Sequence, residues 1–174
     1  MVAVPRDSVI LRHDLCQRKR GTRRSSEFCY TIEHMQIQIK KLHPDAKLSA
    51  FAHDTDAGMD LYTSVDIELQ PGELVAVPTG IAFAIPAGHV GLIWDKSGVA
   101  IKRGLKTMGG VIDAGYRGEV FVGLINTGTE MQSFLTGEKV AQMLIQKIQR
   151  PEIIEVADLD DTSRGDGAFG STGK

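Results

Sequence analysis

Apolar and polar residues alternate over short stretches from residue 35 onward, which is the period of strands that bury one face. Ile37 and Ile39 alternate with polar neighbours, and so do Val65, Ile67 and Leu69. Further short apolar or alternating runs cover residues 74–77, 81–85, 90–94, 119–125, 140–148 and 153–156. Pro and Gly residues separate most of these runs and mark turns. Many short strands at close spacing predict an all-β domain, either a sandwich or a barrel.

One stretch, Ser97–Arg103, has the pattern of a short helix. Residues 140–148 are long enough for a second helix, but Pro151 follows them and β-branched residues stand at both ends. Because β-branched side chains favour strands, we expect a strand there. The sequence thus predicts strands throughout, with one short helix.

Residues 1–34 carry seven basic side chains against four acidic ones and show no apolar periodicity. They also lack the apolar stretch that a secretory signal needs. We therefore expect a disordered N-terminal extension, with Met35 as the natural start of the domain. The weaker alternatives are an organelle transit peptide, against which Asp7 and Asp14 argue, and a basic arm that touches nucleic acid.

Residues 157–174 combine an acidic cluster with a glycine-rich end, RGDGAFGSTGK. So many glycines cannot hold a strand or helix alone, and a frayed terminus is one interpretation. Arg164, Phe169, Ser171 and Thr172 favour another, because guanidinium, hydroxyl and main-chain N–H groups bind anions and an aromatic ring can stack. We expect a flexible flap that orders over an anionic ligand, beyond a β domain that spans residues 35–156.

Composition narrows the class of protein. With 174 residues and 42% hydrophobic content the chain fits one globular domain, and a net charge of -2 gives no sign of a nucleic-acid binder. No apolar run approaches the roughly 20 residues of a membrane span. Cys16 and Cys29 both lie in the N-terminal extension, so neither a disulfide framework nor a cysteine-based zinc site is expected. This cysteine usage favours a reducing, cytoplasmic compartment.

Five segments carry most of the candidate chemistry. In chain order they are AGMDL at 57–61, DKSGVA at 95–100, GVIDAGYRGEV at 110–120, GEKVAQ at 137–142 and RGDGAFGSTG at 164–173. The third and fifth are specific, and in this order the set resembles the motifs of the dUTPase family (dUTP diphosphatases). The resemblance implies a β-clip, a distorted jelly-roll-type barrel with one short helix and a C-terminal flap. It also implies hydrolysis of dUTP to dUMP and pyrophosphate.

The third segment reads as a tight β-hairpin that turns at Ala114 and Gly115. By resemblance, Asp113 is the general base for the attacking water, and Tyr116 packs against the deoxyribose, where a ribose 2′-hydroxyl would clash. The same resemblance assigns uracil recognition, largely through main-chain groups, to Thr107, Gly110, Val111 and Ile112, with Phe169 stacking on the base. A turn-capping role for Asp113 and core packing for Tyr116 are the structural alternatives.

The phosphates of a nucleotide require donors and cations. The resemblance assigns this role to Lys96, Ser97, Gly98, Gln142, Arg164, Gly170, Ser171 and Thr172. Ser97 and Gly98 would present a hydroxyl and N–H groups at the start of the short helix. Taken alone, Lys96 or Gln142 would read as a solvated surface residue.

A magnesium ion is implied as the cofactor, because a metal neutralises a triphosphate and fixes its conformation. The resemblance has the ion held by phosphates and water rather than by protein ligands. We interpret His53, Asp54 and Asp56 as part of a loop, with a metal cluster as the alternative. Asp60 is interpreted as a structural carboxylate near the site.

The resemblance also implies a homotrimer with shared active sites and dUTP as the ligand, with no membrane or nucleic-acid partner. One subunit would supply Ser97, Gly98 and Gln142 to a site, a second would supply Asp113 and Tyr116, and a third would supply the flap.

Four positions depart from the family pattern. Asp95 and Lys96 stand where Pro-Arg is usual, Gly115 where an acidic residue is common, and Ala168 where glycine is common. Because lysine cannot make the bidentate contact of arginine, the phosphate contacts could differ. Two other functions stay open: a dCTP deaminase or bifunctional relative on the same fold, and a non-catalytic nucleotide-binding module.

Overall fold

The computed structural model describes residues 35–168, and within that range it contains eleven strands and one helix. The elements are β1 Gln38–Lys41, β2 Met59–Tyr62, β3 Ile67–Leu69, β4 Leu74–Pro78, β5 Ile81–Ala84, β6 His89–Trp94, α1 Ser97–Arg103, β7 Leu105–Met108, β8 Val111–Asp113, β9 Phe121–Asn126, β10 Gln132–Phe134 and β11 Lys139–Lys147. The seven-residue α1 is the sole helix of this range, and no helix in it has the length and hydropathy of a membrane span.

The strands divide over four antiparallel sheets. The largest has the order β2-β11-β6-β8, and a three-stranded sheet has the order β4-β9-β7. Two pairs, β1-β5 and β10-β3, complete the set. The expected all-β class with one short helix is confirmed. No closed barrel forms within residues 35–168, where the strands divide over four separate sheets.

The core is mainly aliphatic, in keeping with the low aromatic content. Its largest fully buried side chains are those of Phe134, Leu61, Leu69, Ile81, Leu105, Leu124 and Met143. Asn126 is buried among them, and its side chain is fully bonded: the amide donates to the carbonyls of Leu69 (3.0 Å) and Glu130 (2.8 Å), and Oδ1 accepts from Gly128 N (3.0 Å). Such satisfied polar groups are the form in which buried amides are tolerated.

The helix and the long last strand lie where the sequence predicts them. Helix α1 occupies Ser97–Arg103 and ends at Gly104, whose positive φ of 65° closes the last turn in the left-handed conformation. Strand β11 covers most of residues 140–148 and lies between β2 and β6. It therefore brings the first and fourth candidate segments together in one sheet, and β6 of that sheet leads directly into the second segment.

Two sequence predictions are wrong. Residues 153–156 form no strand, and Ile153 is 95% exposed, because the chain after Pro151 meets no strand edge to pair with. The expected hairpin at residues 111–118 has its turn, but its two arms do not pair with each other. Strand β8 pairs with β6, whereas β9 pairs with β4 and β7, so the chain crosses from one sheet to another after the turn.

Candidate active site

Strand β6 lies between two strands that carry candidate site residues. At one end of this strand Val90 lies opposite Asp113 of β8, and at the other end Trp94 lies opposite Gln142 of β11. Asp60 of β2 lies opposite Gln142 in turn. Val90 and Trp94 are four positions apart along the strand, which is roughly 13 Å. Asp113 and Gln142 are therefore separated along β6 within this chain.

A cavity of about 270 Å³ lies beside Asp113 and Tyr116. It is lined by Val111, Ile112, Asp113, Tyr116, Glu119 and Phe121. The turn that forms it is closed by the N–H of Tyr116, which donates to the carbonyl of Asp113 (3.0 Å), and by the Tyr116 hydroxyl, which donates to the carbonyl of Glu119 (2.8 Å). Asp113 and Tyr116 are both exposed, so both are accessible to a ligand in this cavity.

Gly118 explains the position of the Tyr116 ring. A Cβ added at Gly118 would lie 2.4 Å from the tyrosine hydroxyl oxygen and 2.6 Å from Cζ. Neither distance is sterically possible, so the ring can fold back over the turn only because residue 118 is glycine. The spacing of Tyr116 and Gly118 in the third segment is thus a packing requirement of this turn.

A second cavity, of about 200 Å³, adjoins the first at Val111. It is lined by Leu92, Ile93, Trp94, Lys106, Thr107, Gly109, Gly110 and Val111. Gly110 has φ of 100°, and a Cβ there would lie 2.9 Å from the Ile93 carbonyl oxygen, so only glycine allows this approach. The structure thus brings Thr107, Gly110 and Val111 together, as expected for one binding surface.

On the phosphate side, Gln142 is bonded to the chain just ahead of α1. Its Nε2 donates to the carbonyl of Asp95 (2.8 Å), and Gly58 leaves room for it, since a Cβ at that glycine would lie 2.6 Å from Oε1. Ser97 and Gly98 begin α1 and are exposed. The second and fourth segments, with the glycine of the first, therefore meet at one point.

Lys96 and Lys139 share the carboxylate of Asp60, which is only 2% exposed. Lys96 Nζ donates to Oδ1 at 2.5 Å, and Lys139 Nζ lies 2.6 Å from Oδ2 in an ion pair without the geometry of a directed hydrogen bond. Burial alone would raise the pKa of Asp60, but the contacts with Lys139 and Lys96 outweigh it and lower that pKa. The same contacts raise the pKa of Lys139. Asp60 is therefore a structural anion that holds two cations.

The carboxylate of Asp95 joins the helix start to β7. Oδ1 accepts hydrogen bonds from both the N–H and the hydroxyl of Thr107, each at 2.7 Å, and Oδ2 accepts one from Lys106 Nζ. Burial alone would raise the pKa of Asp95, but the hydrogen bonds from Lys106 and Thr107 outweigh it and lower that pKa. Lys106 and Lys139 are partners that sequence reasoning missed, because no spacing along the chain marks either ion pair.

The flap residues are the ones that the structure does not bring to the site. Arg164 is exposed, and its Nε donates to the carbonyl of Gly167 (3.0 Å) within a local turn. Phe169, Gly170, Ser171 and Thr172 lie outside the described residues. The loop that contains His53 and Asp56 is closed by a hydrogen bond from the His53 N–H to the Asp56 carboxylate (3.0 Å). Within residues 35–168 no three His, Cys, Asp or Glu side chains converge as metal ligands.

Comparison with known proteins finds a family model and relatives that match most of this chain. The family model for dUTPase matches residues 45–173. A deoxyuridine 5'-triphosphate nucleotidohydrolase of Mycolicibacterium gilvum is 48% identical over 145 residues, which cover 79% of this chain and 94% of that protein. One from Thermobifida fusca is 45% identical over 142 residues, covering 80% and 79%.

Two solved structures share the fold. A mutant dUTPase of Staphylococcus bacteriophage 80alpha with dUpNHpp superposes with a TM-score of 0.76 at 29% identity, covering 80% of this chain and 99% of that one. A mutant dUTPase from phage phi11 of S. aureus, described as coordinating a structural Mg(II) ion, gives a TM-score of 0.68 at 28% identity, with 71% and 98% covered.

Proposed function

This chain belongs to the dUTPase family, and on that premise we propose that it hydrolyses dUTP to dUMP and pyrophosphate at a site centred on Asp113. The observation that carries the proposal is the cavity at the end of β8 that Asp113 and Tyr116 both line. The names of the relatives, all deoxyuridine 5'-triphosphate nucleotidohydrolases, support the same substrate.

In the proposed reaction water attacks the α-phosphorus. Asp113 accepts a proton from that water, a P–O bond forms, and the bond to the pyrophosphate oxygen breaks. A positioned general base of this kind contributes about 10²–10⁴-fold to a rate. The exposed carboxylate of Asp113 fits the role, because it can meet water at the mouth of the cavity.

Base and sugar selection would be divided between the two adjoining cavities. The one lined by Thr107, Gly110 and Val111 has a volume of about 200 Å³, and at Gly110 its wall is main chain alone. Such a wall suits uracil and disfavours a 5-methyl group. Tyr116, held by Gly118, would contact the deoxyribose and exclude a 2′-hydroxyl, and Phe169 would stack on the base.

The triphosphate would be bound by Ser97, Gly98 and Gln142, with Arg164, Gly170, Ser171 and Thr172 added by the flap. Lys96 enters this set with a different geometry from the one expected, since its ammonium group is engaged by Asp60. It would contribute positive potential near the phosphates while Asp60 holds it in position. Phosphoryl transfer depends mainly on such positioning and charge neutralisation.

Magnesium belongs to the proposal as a cofactor held through the substrate phosphates and water. The donor set of the candidate phosphate region, with hydroxyl, amide and ammonium groups, fits a bound triphosphate rather than a bare cation. When bound, Mg²⁺ neutralises phosphate charge and favours departure of pyrophosphate.

We propose further that the enzyme is a homotrimer whose sites are shared. Two observations support this. Asp113 and Gln142 are separated along β6 within one chain, although the reaction requires them at one substrate. The segment after Pro151 exposes Ile153, Ile154, Val156 and Leu159, between 56% and 95% each, which is the surface that a neighbouring copy would cover. The flap would then reach a site in the third copy.

The biological consequence would be removal of dUTP before DNA synthesis and supply of dUMP for thymidylate synthesis. A cytoplasmic location is part of the proposal, because nucleoside triphosphates are made and used there.

Pyrophosphate release from dUTP, dTTP, dCTP and UTP in the presence of Mg²⁺ tests the proposed function on the full chain. Release from dUTP alone is expected, because both the base cavity and Tyr116 act as filters. Ammonia release from dCTP would instead identify a deaminase. Binding of dUTP without release of pyrophosphate would identify a non-catalytic module and contradict the proposal.

A further inference from the structure

Glu119 lines the same cavity as Asp113 and Tyr116, and the proposed function gives it no role. It stands where the chain leaves the sheet of β8 and enters the sheet of β4, β9 and β7. Whereas Asp113 is exposed, Glu119 is half-buried, and its Oε1 accepts a hydrogen bond from the N–H of Gly80 at 2.7 Å. One oxygen of this carboxylate is therefore committed to the fold.

The N–H of Gly80 depends on this acceptor. Gly80 is buried in the connection between β4 and β5, has a positive φ of 66°, and would place a Cβ only 2.7 Å from the Cβ of Ala46. A buried main-chain N–H without an acceptor is costly, and Glu119 supplies the acceptor from 39 residues away along the chain. The contact therefore fixes residue 119 against the β4–β5 connection.

The main chain of the same residue holds the ring of Tyr116. The Tyr116 hydroxyl donates to the carbonyl of Glu119 at 2.8 Å. The next residue, Val120, is fully buried and is bonded to the same connection: its N–H donates to the carbonyl of Ile81 (2.9 Å), and its carbonyl accepts from the hydroxyl of Thr79 (2.5 Å). Residues 119 and 120 thus link the β4–β5 connection to the tyrosine ring.

The function proposed above is the premise of the next step. We propose that Glu119 is a positioning residue for sugar selection: its carboxylate anchors residue 119 to Gly80, and its carbonyl then holds the Tyr116 ring where it meets the deoxyribose. A ring held by supporting contacts excludes a 2′-hydroxyl better than a ring that can move aside. All of these contacts lie within one copy, in the half of the shared site that carries Asp113 and Tyr116.

Glu119→Ala should weaken the discrimination between deoxyribose and ribose. The measured quantity is the ratio of the dissociation constants of the non-hydrolysable analogue dUpNHpp and its ribonucleotide counterpart, and this preference should fall about fivefold. The change should appear chiefly as tighter binding of the ribonucleotide, because a mobile ring no longer excludes the 2′-hydroxyl, whereas a general loss of structure would weaken both ligands. Glu119→Gln keeps an acceptor for Gly80 and should retain the wild-type preference.

A double variant tests whether Glu119 acts through the tyrosine. Tyr116→Phe removes the hydroxyl that bonds the carbonyl of residue 119, so it breaks the last link between that residue and the ring. In the Tyr116→Phe background, Glu119→Ala should therefore change the preference less than twofold. Additive effects of the two changes would show that Glu119 acts by another route.

The chain provides a matched control in Glu73. Its Oε2 accepts a hydrogen bond from the N–H of Gln70, also at 2.7 Å, and it lines neither of the two adjoining cavities. Glu73→Ala therefore removes an equivalent contact between a glutamate and the main chain, and it should leave the preference for the deoxyribose analogue unchanged. It separates the loss of any such contact from the loss of this one.

Isothermal titration calorimetry of the full-length protein with both analogues in the presence of Mg²⁺ gives dissociation constants that do not depend on turnover. Urea unfolding of each variant establishes that it is folded. If Glu119→Ala fails to fold, Glu119→Asp replaces it in the test, because this change keeps the charge but shortens the side chain by one methylene and withdraws the acceptor from Gly80.

The outcomes are distinguishable. An unchanged preference in folded Glu119→Ala, additive effects with Tyr116→Phe, or an equal loss in Glu73→Ala would overturn the role of Glu119 and leave the proposed function intact. A wild type that prefers the deoxyribose analogue but does not hydrolyse dUTP would overturn the proposed function, while the variants would still decide the role of Glu119. A wild type that binds neither analogue would overturn both.

Discussion

The Nζ of Lys96 lies 2.5 Å from Oδ1 of Asp60, so the cation of the second candidate segment is held by the buried carboxylate of the first. Lys139, from the fourth segment, holds the other oxygen of the same carboxylate. Three segments that are far apart in sequence are thus joined at one charge cluster beneath the candidate phosphate region. An arginine at position 96 would use a planar fork, whereas this lysine acts as a point charge.

Replacing Asp60 by Asn should lower the free energy of unfolding at pH 7 by about 1–3 kcal/mol, because two partly exposed ammonium groups lose their buried partner. The folded-state pKa of Asp60 is lowered. Its contribution is therefore fully present above the unfolded value of about 4 and is lost as the pH falls through the lower folded pKa. Urea unfolding of both proteins between pH 7 and pH 2 checks this.

The difference between the two proteins should shrink at the acidic end of that series. A difference that stays constant down to pH 2 would show that Asp60 acts through shape rather than charge. Lys139, whose pKa is raised, should behave in the opposite sense and lose its contribution only at high pH.

Asp113→Asn should lower kcat for dUTP by about 10²–10⁴-fold, because the amide cannot accept a proton from water. Affinity for dUpNHpp should change little, since Asn keeps the size of the side chain. Stopped-flow pyrophosphate release and analogue titration measure the two quantities. Undiminished hydrolysis would remove Asp113 from the role of base.

Gly118→Ala should displace the Tyr116 ring, because the added Cβ would lie 2.4 Å from its hydroxyl oxygen. The preference for dUTP over UTP, taken as the ratio of kcat/KM values, should fall by at least about tenfold if the tyrosine excludes the ribose hydroxyl. Gly115→Ala provides a control, since a Cβ there meets no atom within 4 Å. Equal selectivity in both variants would refute this role for Tyr116.

Ile153→Asp combined with Ile154→Asp should dissociate the proposed homotrimer into monomers, because charges would replace apolar side chains that are 95% and 69% exposed in one chain. Sedimentation velocity measures the distribution. The double change to leucine keeps the apolar surface and should stay trimeric. A trimer that survives both aspartates would locate the subunit contacts elsewhere.

Local pattern predicted much of the fold. The short apolar or alternating runs predicted β1, β3 to β6, β9 and β11, and helix α1 has the predicted bounds, because these patterns are local signals. Strand β2 escaped prediction since all four of its residues are buried, which removes the alternation. The apolar run at 153–156 was wrongly predicted to be a strand. Alternation of apolar residues does not show whether the surface that would cover them belongs to the same chain.

The structure brings some of the predicted site residues together, but their ion-pair and hydrogen-bond partners were not predicted. Asp113 and Tyr116 share a cavity, and Thr107, Gly110 and Val111 share the next one. The role of the Asp95 carboxylate could not be explained from the sequence. It depends on contacts with Lys106 and Thr107, which α1 separates from Asp95 along the chain. Ion pairs of this kind, between residues of different elements, produce no periodic pattern in the sequence. The domain limits at 35 and 156 and the roles of individual site residues remain predictions.

Subunit mixing tests the central claim most directly, namely that dUTP is hydrolysed where Asp113 of one copy meets Ser97 of another. Asp113→Asn removes the base, and Ser97→Asp adds a negative charge at the exposed first residue of α1, where an acidic side chain suits the helix but repels phosphate. Each variant alone should be inactive. Equal amounts unfolded and refolded together should recover about a quarter of wild-type pyrophosphate release, because one site in four then combines two intact residues. Recovery of no activity from a mixed, properly assembled oligomer would contradict the shared site.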